Sequence, residues 1–339
     1  MTTPITRTSS PYPDRPQGFL RRTLLGVGAA SIFAPRFALA NDYPSRPVRL
    51  MVGATPGGSI DISARIIATA MTEILKTPVI VENKPGASGV INSEFVAKAA
   101  PDGYTLMVGT PSPIIIAPQA MPKVTFNPLT QLTAINMVST SPVAIAVNPK
   151  LPVKRLSDLV ALTRQREVSM ALPLAGSVSH LVTEMAAKAA GCTFLNVPYK
   201  GAAPAITDTI AGHTDATVSD LGVFLPYHRE NRVRIIMVTS DKRVPVLPDV
   251  LTANEEFPGL VVTNWIGVFG PAGLPKPIVD AVNAALLKTV KASNVREQFA
   301  KSIVTATAMD SPEAFQSFVA GEYQRYGRLL RERGIVISE

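Results

Sequence analysis

The sequence predicts an α/β protein with two lobes, each a mainly parallel sheet flanked by helices. Three observations support this fold class. Short runs of branched apolar residues alternate with stretches of helical periodicity, which is typical of parallel sheets. The alternation occurs once before and once after a proline-dense stretch at 111–152, which we interpret as a crossing between lobes. A second stretch rich in turn residues, 240–258, indicates a return crossing, so the first lobe is discontinuous in sequence.

The first forty residues have the features of an export signal rather than of the fold. Arg21 and Arg22 precede a mildly apolar run over 23–33, and residues 38–40 (Ala-Leu-Ala) form a small-x-small cleavage site. The run is too short and too weakly apolar to anchor the chain in a membrane. We expect cleavage after Ala40 and, in a bacterium, a periplasmic protein. The paired arginines leave the twin-arginine and general secretory routes both open.

Charge, cysteine and histidine content exclude several classes of function. The formal net charge is +8, but residues 1–40 hold five arginines and one aspartate, so half of the excess belongs to the export signal. The rest has no basic run interleaved with aromatics, and we expect no nucleic-acid partner. Cys192 is the only cysteine, which excludes an internal disulfide and predicts a buried, inert thiol. The histidines at 180, 213 and 228 lack metal-ligand spacing, so we expect no metal and no cofactor.

The stretch 55–61 is a glycine turn between a strand and a helix. Residues 48–52 form a short branched run that predicts a buried strand, and apolar residues recur at helical spacing over 62–75. Gly57 and Gly58 leave the main chain bare beside the unsatisfied N–H groups of the helix N-terminus, with Ser59 as the expected N-cap. These features predict an anion-binding site. A plain strand-to-helix turn is the alternative.

The remaining elements follow the same alternation of strands and helices. Ligands collect outside the carboxyl ends of parallel strands, so we expect the loops 55–61 and 109–112 to meet at one crevice. Strands are expected at 79–83, 105–108, 134–138, 143–147, 168–172, 194–197, 214–219, 233–239 and 262–269. Helices are expected over 90–100, from 157 to about 165, and from 311 to about 334. Three more are expected after the turns at 174–180, 198–201 and 271–275, and they end at 190, at 211 and at about 292.

No catalytic motif is present. The sequence has no G-x-S-x-G elbow, no phosphate-binding G-x-x-x-x-G-K-[ST] loop and no G-x-G-x-x-G after a strand. Ser177 and His180 lie three residues apart near a helix start, but the sequence places no acid beside them. Gly176-Ser177 before a helix repeats the pattern of 57–59, so two facing sites could bind both ends of a dicarboxylate. We therefore expect a binding protein and no enzyme.

The order of several motifs resembles the Bug receptor family, the extracytoplasmic solute-binding components of tripartite tricarboxylate transporters. The resemblance covers essentially the whole mature chain. Its motifs stand at 43–49 (YPSRPVR), 56–61 (PGGSID), 81–87 (VENKPGA), 99–106 (AAPDGYTL), 176–181 (GSVSHL), 197–201 (VPYKG), 248–250 (PDV), 265–267 (WIG) and 271–275 (PAGLP).

The resemblance implies a two-lobed, flytrap-like periplasmic-binding-protein fold that closes on a carboxylate. In the family the ligand is bound largely by main-chain N–H groups, hydroxyls and bridging waters, and the loops concerned correspond here to 55–61, 109–112, 175–180 and 199–201. Asp220 ends a strand of the second lobe and is a weaker match. For Asp61 we expect helix capping and loop shaping. The candidate ligand-binding residues are Thr55, Pro56, Gly57, Gly58, Ser59, Asp61, Gly109, Thr110, Ser112, Ala175, Gly176, Ser177, His180, Tyr199, Gly201 and Asp220.

Two departures from the family pattern leave the identity of the carboxylate open. The family usually carries a proline, often with an aromatic residue, shortly before the glycine pair, where this chain has Gly53-Ala54-Thr55. The loop at 172–175 (LPLA) is apolar where the family usually has small polar residues. Both changes alter the expected lining of the cleft more than its ability to close on a carboxylate.

We thus expect an extracytoplasmic receptor that captures a small organic carboxylate in an interlobe cleft for a tripartite tricarboxylate-type transporter. Lobe 1 would comprise 41–142 and 241–339, and lobe 2 would comprise 143–240. The expected partners are the ligand and the transporter membrane subunits; the chain itself would be monomeric and would not span the membrane. Two alternatives are a ligand-sensing receptor that docks a membrane sensor kinase and an exported α/β hydrolase that uses Ser177 and His180.

Overall fold

A computed structural model describes residues 43–57 and 59–334. The export signal expected at 1–40 and the candidate ligand residue Gly58 lie outside the described residues. In the part of the chain that is described, no helix combines the length and apolar character needed to cross a membrane.

The described residues form ten strands that join in one sheet. Most strands lie within one or two residues of the branched apolar runs that predict them. The strands are β1 (Val48–Val52), β2 (Val79–Asn83), β3 (Thr105–Gly109), β4 (Leu132–Val147), β5 (Ser169–Leu172), β6 (Leu195–Pro198), β7 (Ala216–Asp220), β8 (Arg234–Val238), β9 (Thr263–Pro271) and β10 (Thr305–Ala306).

The sheet has a parallel set of strands toward each end and antiparallel strands in the middle. Its order is β2-β1-β3-β9-β4-β7-β5-β6, with β8 and β10 also paired to β4. β1 runs parallel to β2 and β3, and β5 runs parallel to β6 and β7. The pairs that β4 and β9 make are antiparallel. The carboxyl ends of β1 and β3 are therefore neighbours, as are those of β5 and β7.

β4 is one continuous strand of 16 residues where the sequence predicted two short ones. Up to Pro142 it pairs with β9, and from Val143 onward it pairs with β7 and β8. Pro142 has no N–H group and therefore suggests a strand end. In the structure it stands where β4 changes partners, so the prediction of two separate strands was wrong.

The helices pack against the faces of this sheet. Ser311 caps the last helix by accepting from the Ala314 N–H at 3.1 Å, and Gly334 ends it in the left-handed conformation at φ 61°, as the sequence predicts. The helices are α1 (Ser59–Leu75), α2 (Val90–Ala97), α3 (Ala117–Ala120), α4 (Pro128–Gln131), α5 (Leu156–Thr163), α6 (Val178–Ala190), α7 (Ala202–Ala211), α8 (Leu221–Arg229), α9 (Ala253–Glu256), α10 (Lys276–Lys291), α11 (Ser293–Ala300) and α12 (Pro312–Arg333).

Several helical segments differ from the sequence prediction. Residues expected as a proline-rich loop form a π-helical turn at Ser112–Ile116 that continues into α3; proline is tolerated there because first-turn N–H groups lack helical acceptors. α8 and α11 were not predicted at all. α5 begins after Arg155 rather than at a Ser157 cap, since the Ser157 hydroxyl donates to Glu256 Oε1 at 2.7 Å.

The core fills both faces of the sheet with branched and aromatic side chains. Leu50 and Leu106 are fully buried on one face against α1 and α10, while Trp265 and Phe315 pack edge-to-face on the other, with centroids 5.8 Å apart. Cys192, which we expected to be buried, is half-buried at the edge of this core, because it follows the exposed C-terminal end of α6.

Candidate functional site

The turn between β1 and α1 is organised by the buried carboxylate of Asp61. Its Oδ2 accepts from the Gly57 N–H at 2.9 Å, and Arg65 donates to its two oxygens at 2.9 and 3.0 Å. The hydrogen bonds from Arg65, followed by the Gly57 and Asn83 bonds, lower the pKa of Asp61 to about 2 despite its burial. Asp61 therefore shapes the loop, as expected. The expectation that the Gly57 N–H is unsatisfied was wrong, because Asp61 already occupies it.

The rest of this loop faces solvent. Asn83 fixes its base by donating to the Ala54 carbonyl and to Asp61 Oδ1, both at 2.9 Å. Ser59 is the first residue of α1 rather than its N-cap, and the carboxylate of Asp61 accepts from the Gly57 N–H group of the turn instead. The described candidate residues exposed here are Thr55, Pro56, Gly57 and Ser59.

The loop after β3 lies beside the loop after β1. Gly109 ends β3, Thr110 is buried, and Ser112 begins the π-helical turn half-buried. Ile60 from the first loop and Thr110 from the second line one small cavity of about 20 Å³. The expected convergence of the two loops is thus observed, and it follows from the parallel pairing of β1 with β3.

Sequence reasoning missed Asn92, which lines the same cavity. This side chain is fully buried on α2, and its amide nitrogen and oxygen have no hydrogen-bond partner in the described structure. The signal available in the sequence was a polar residue on the buried face of a helix that begins directly after the glycine-rich turn at 86–89.

The loop before α6 is held by three local hydrogen bonds. The Ser177 hydroxyl donates to the Leu174 carbonyl at 2.8 Å and accepts from the His180 N–H at 3.4 Å, which makes Ser177 the N-cap. The Gly176 N–H donates to His180 Nδ1 at 3.2 Å. Ala175 is half-buried against the core. Burial lowers the pKa of His180, partly opposed by Glu184, so the ring is neutral with Nδ1 as acceptor at pH 7.

These contacts do not form a catalytic pair. The Ser177 hydroxyl donates to the main chain, and His180 Nδ1 accepts from a main-chain N–H, so neither atom engages the other. Glu184 Oε1 lies 3.9 Å from His180 Nε2, an acid that the sequence did not reveal. Within 43–57 and 59–334, no group of three or more His, Cys, Asp and Glu side chains could hold a metal ion.

The first turn of α6 presents main-chain donors at the carboxyl end of β5. The first helical hydrogen bonds here are made by His180 and Leu181, both to Ser177. No atom among the described residues accepts from the N–H groups of Val178 and Ser179. These two donors, at the positive end of a 13-residue helix, suit an anionic group.

The loop at 199–201 is tied to the end of β5. The Tyr199 N–H donates to the Leu172 carbonyl at 2.8 Å, and the Gly201 N–H donates to the Pro173 carbonyl at 2.7 Å. The Tyr199 hydroxyl donates to Asp208 Oδ2 on α7 at 2.6 Å; burial and this contact raise the pKa of Tyr199 to about 12. The Gly201 N–H is thus bonded within the protein.

Asp220 lies where β4, β7 and β9 meet. Its Oδ1 accepts from the Ser141 hydroxyl and from Asn264 Nδ2, both at 3.0 Å. Burial raises the pKa of Asp220, and the hydrogen bonds from Asn264 and Ser141 only partly oppose this rise. The contacts place Asp220 at the crossing between the two parallel sets of strands, and a contact with ligand stays a prediction.

The chain is similar in sequence to known proteins over most of its length. A model of the tripartite tricarboxylate transporter family receptor matches residues 63–335. Protein BugT of Bordetella pertussis is 33% identical over 312 residues, covering 91% of this chain and 95% of that protein. A protein from Cupriavidus necator is 31% identical over 326 residues, 95% of this chain and 98% of that protein.

Solved structures of similar proteins superpose over most of the chain. The periplasmic binding protein BugD is 30% identical with a TM-score of 0.76, over 87% of this chain and 99% of BugD. An R. palustris protein solved with adipate is 30% identical with a TM-score of 0.79, over 87% of this chain and 99% of that protein. MatC from Rhodopseudomonas palustris, with bound malate, is 29% identical with a TM-score of 0.77, over 85% and 100%.

These matches confirm the predicted α/β periplasmic-binding-protein fold and the absence of catalysis, since the family consists of solute-binding receptors. The chain belongs to the tripartite tricarboxylate transporter receptor family, the Bug family of periplasmic solute-binding proteins.

Proposed function

We propose that this receptor binds a small organic carboxylate in a cleft between its lobes and presents it to the membrane subunits of a tripartite tricarboxylate-type transporter. The single observation that carries this proposal is the pair of unpartnered N–H groups of Val178 and Ser179 at the start of α6. Adipate and malate, the molecules named for two similar structures, are both carboxylates and support the same class of ligand.

The lobes are proposed as 41–142 with 241–339 and as 143–240. The change of β4 partners between Pro142 and Val143 supports the first boundary, and the end of β8 at Val238 supports the second. Closure would then bend the chain near these two points.

Hydrogen bonds to a charged group contribute about 1.5–3 kcal/mol each. The two donors of α6 would give roughly 3–6 kcal/mol, so micromolar binding, about −8 kcal/mol after an association cost of at least about 4 kcal/mol, needs at least two further bonds from other parts of the cleft.

Export with cleavage after Ala40 is proposed as well, with the protein acting as a monomer in the periplasm. Membership of a family of periplasmic binding proteins supports this location. N-terminal sequencing of the exported protein tests the cleavage site. Joint replacement of Arg21 and Arg22 by lysine distinguishes the two routes, because it blocks twin-arginine export and leaves general secretion intact.

Thermal unfolding of the exported protein against a panel of carboxylates tests the function. A ligand at about a hundred times its dissociation constant adds about 2.7 kcal/mol, which raises the unfolding midpoint by several degrees. Val178→Pro removes one proposed donor while keeping the helix, because proline is tolerated at the first helical position and Ser177 already has extended backbone at φ −85°, ψ 171°.

Val178→Ala is the matched control, since it shortens the side chain and keeps the N–H group. We expect the carboxylate-induced shift to disappear in Val178→Pro and to persist in Val178→Ala. A shift that survives unchanged in the proline variant, or a panel in which only neutral sugars or metals stabilise the protein, would contradict the proposal.

A further inference from the structure

The buried amide of Asn92 is the least satisfied polar side chain near the proposed site. Asn92 is 0% exposed, and both its Nδ2 and its Oδ1 lack a partner among the described residues. Buried amides in folded proteins are almost always hydrogen-bonded, because burying a polar group unpaired is costly. An unpaired donor and acceptor on the same side chain therefore indicate a molecule that binds between them.

A cavity of about 20 Å³ adjoins this amide. Ser88 and Thr110 contribute hydroxyl-bearing side chains to its wall, and Ile60 contributes from α1. A cavity needs roughly 10–15 Å³ to hold one water molecule, so this volume accommodates a single oxygen atom with its hydrogen. The cavity opens among the same loops at the carboxyl ends of β1 and β3 that the sequence identifies as ligand-binding.

The main chain beside the cavity is held in an uncommon conformation. All four residues of 86–89 have positive φ, including Ala87 at 45° and Ser88 at 52°. Residues other than glycine rarely adopt this conformation. Strain of this kind persists where the surrounding structure fixes it, and it concentrates at ligand-binding sites. Gly53 permits the close approach: an added Cβ would come within 2.8 Å of the Gly89 Cα and 3.3 Å of the Asn92 Cβ.

The hydrogen-bonding pattern of the amide selects the chemistry of its partner. Nδ2 donates and Oδ1 accepts, so a matching group must both accept and donate. A carboxylate oxygen only accepts and would leave Oδ1 unpaired, whereas an ammonium only donates and would leave Nδ2 unpaired. A hydroxyl satisfies both atoms and fits the volume.

We propose that Asn92 selects a hydroxyl-bearing carboxylate by binding the hydroxyl of that ligand in this cavity. The inference rests on the proposed carboxylate-binding function and specifies which carboxylates are preferred. Sites built to hydrogen-bond a substrate hydroxyl discriminate strongly against the analogue that lacks it, because their buried polar atoms are then left unpaired.

Isothermal titration of the exported protein with matched pairs of acids tests this assignment. The pairs are malate with succinate, citrate with propane-1,2,3-tricarboxylate, lactate with propionate, and mandelate with phenylacetate. We expect the hydroxylated member of the bound pair to bind at least about tenfold more tightly. Asn92→Leu has similar volume and no hydrogen-bonding group, so it should reduce that ratio to within about twofold.

Ser93→Ala is the control, because Ser93 is also fully buried on α2 but its hydroxyl donates to the Gly89 carbonyl at 3.2 Å. This variant should keep the full ratio. Asn92→Ala provides the same comparison if the leucine variant fails to fold.

Three outcomes would overturn the proposal. The wild-type ratio could be near one, or the ratio could survive in Asn92→Leu. Asn92→Leu could also weaken both members of a pair by the same factor, which would mean that a water molecule occupies the cavity. Carboxylate binding without hydroxyl preference would contradict this inference alone, whereas no binding of any of the eight acids would contradict the proposed function as well.

Discussion

Removal of the Asp61 carboxylate should destabilise the turn after β1 by an amount that the contacts allow us to work out. Asp61 accepts four hydrogen bonds, one from Gly57, one from Asn83 and two from Arg65. The Arg65 side chain is 52% exposed, so its ion pair contributes at most about 1 kcal/mol. The other two bonds go to the charged carboxylate and contribute about 1.5–3 kcal/mol each. Asp61→Ala should therefore lower the free energy of unfolding by about 3–7 kcal/mol.

The pH dependence of this loss follows from the pKa of Asp61, which is lowered to about 2. A carboxyl whose folded pKa is depressed stabilises fully above its unfolded pKa of about 4, and the stabilisation disappears as the pH falls toward 2. Denaturant titrations at pH 7 and at successive steps down to pH 3 measure this change. The difference between wild type and Asp61→Ala should be largest at pH 7 and should shrink below pH 4.

Asp280→Ala is the matched control, because Asp280 also pairs with a cation four residues away, Lys276, on the surface of a helix. The Asp280 side chain is 52% exposed, and its loss should change stability by no more than about 0.5 kcal/mol. Equal losses in the Asp61 and Asp280 variants would refute the reasoning, because burial and the loop contacts would then contribute nothing.

Three further changes are expected to have distinct effects. Gly222→Ala should destabilise the protein by about 1–3 kcal/mol or more, because the added Cβ on α8 would overlap the Ser302 carbonyl. In Gly321→Ala the added Cβ meets nothing within 4 Å, and the variant should be more stable than wild type by about 0.4–1 kcal/mol. Equal thermal midpoints for the two glycine variants would contradict this. Asp220→Asn should stabilise the protein at pH 8 more than at pH 4, because burial raises the pKa of Asp220 and its stabilising protonated form is lost as pH rises. Denaturant midpoints of both proteins at pH 8 and at pH 4 measure this difference. An Asp220→Asn variant less stable than wild type at pH 8 would disprove the prediction. His180→Asn should flatten the stability profile between pH 7 and 5, because burial lowers the pKa of His180 and its contribution is lost below about pH 6.5; an unchanged profile would exclude His180 as the group that titrates.

The elements that local pattern determines were predictable from the sequence. β1 and the end of α1 at Leu75 agree with the prediction, because a branched run and a 3.6-residue period fix them within the segment itself. The continuity of β4 through Pro142 was not predictable, since its partners lie on strands about 70 to 140 residues further along the chain. α8 was hidden by Gly222 near its start and Pro226 inside it, two residues that ordinarily argue against a helix.

The site illustrates a different limit of sequence reasoning. Glycines at 57, 176 and 201 lie in turns between strands and helices, but the sequence does not show which of their N–H groups already has an acceptor. In the structure all three donate to a side chain or carbonyl of a neighbouring residue. These bonds order the loops before a ligand arrives, which lowers the entropy lost on binding. Among the described residues, the N–H groups of Val178 and Ser179 still lack an acceptor, so we expect the glycines to shape these loops and residues that follow them to offer the donors.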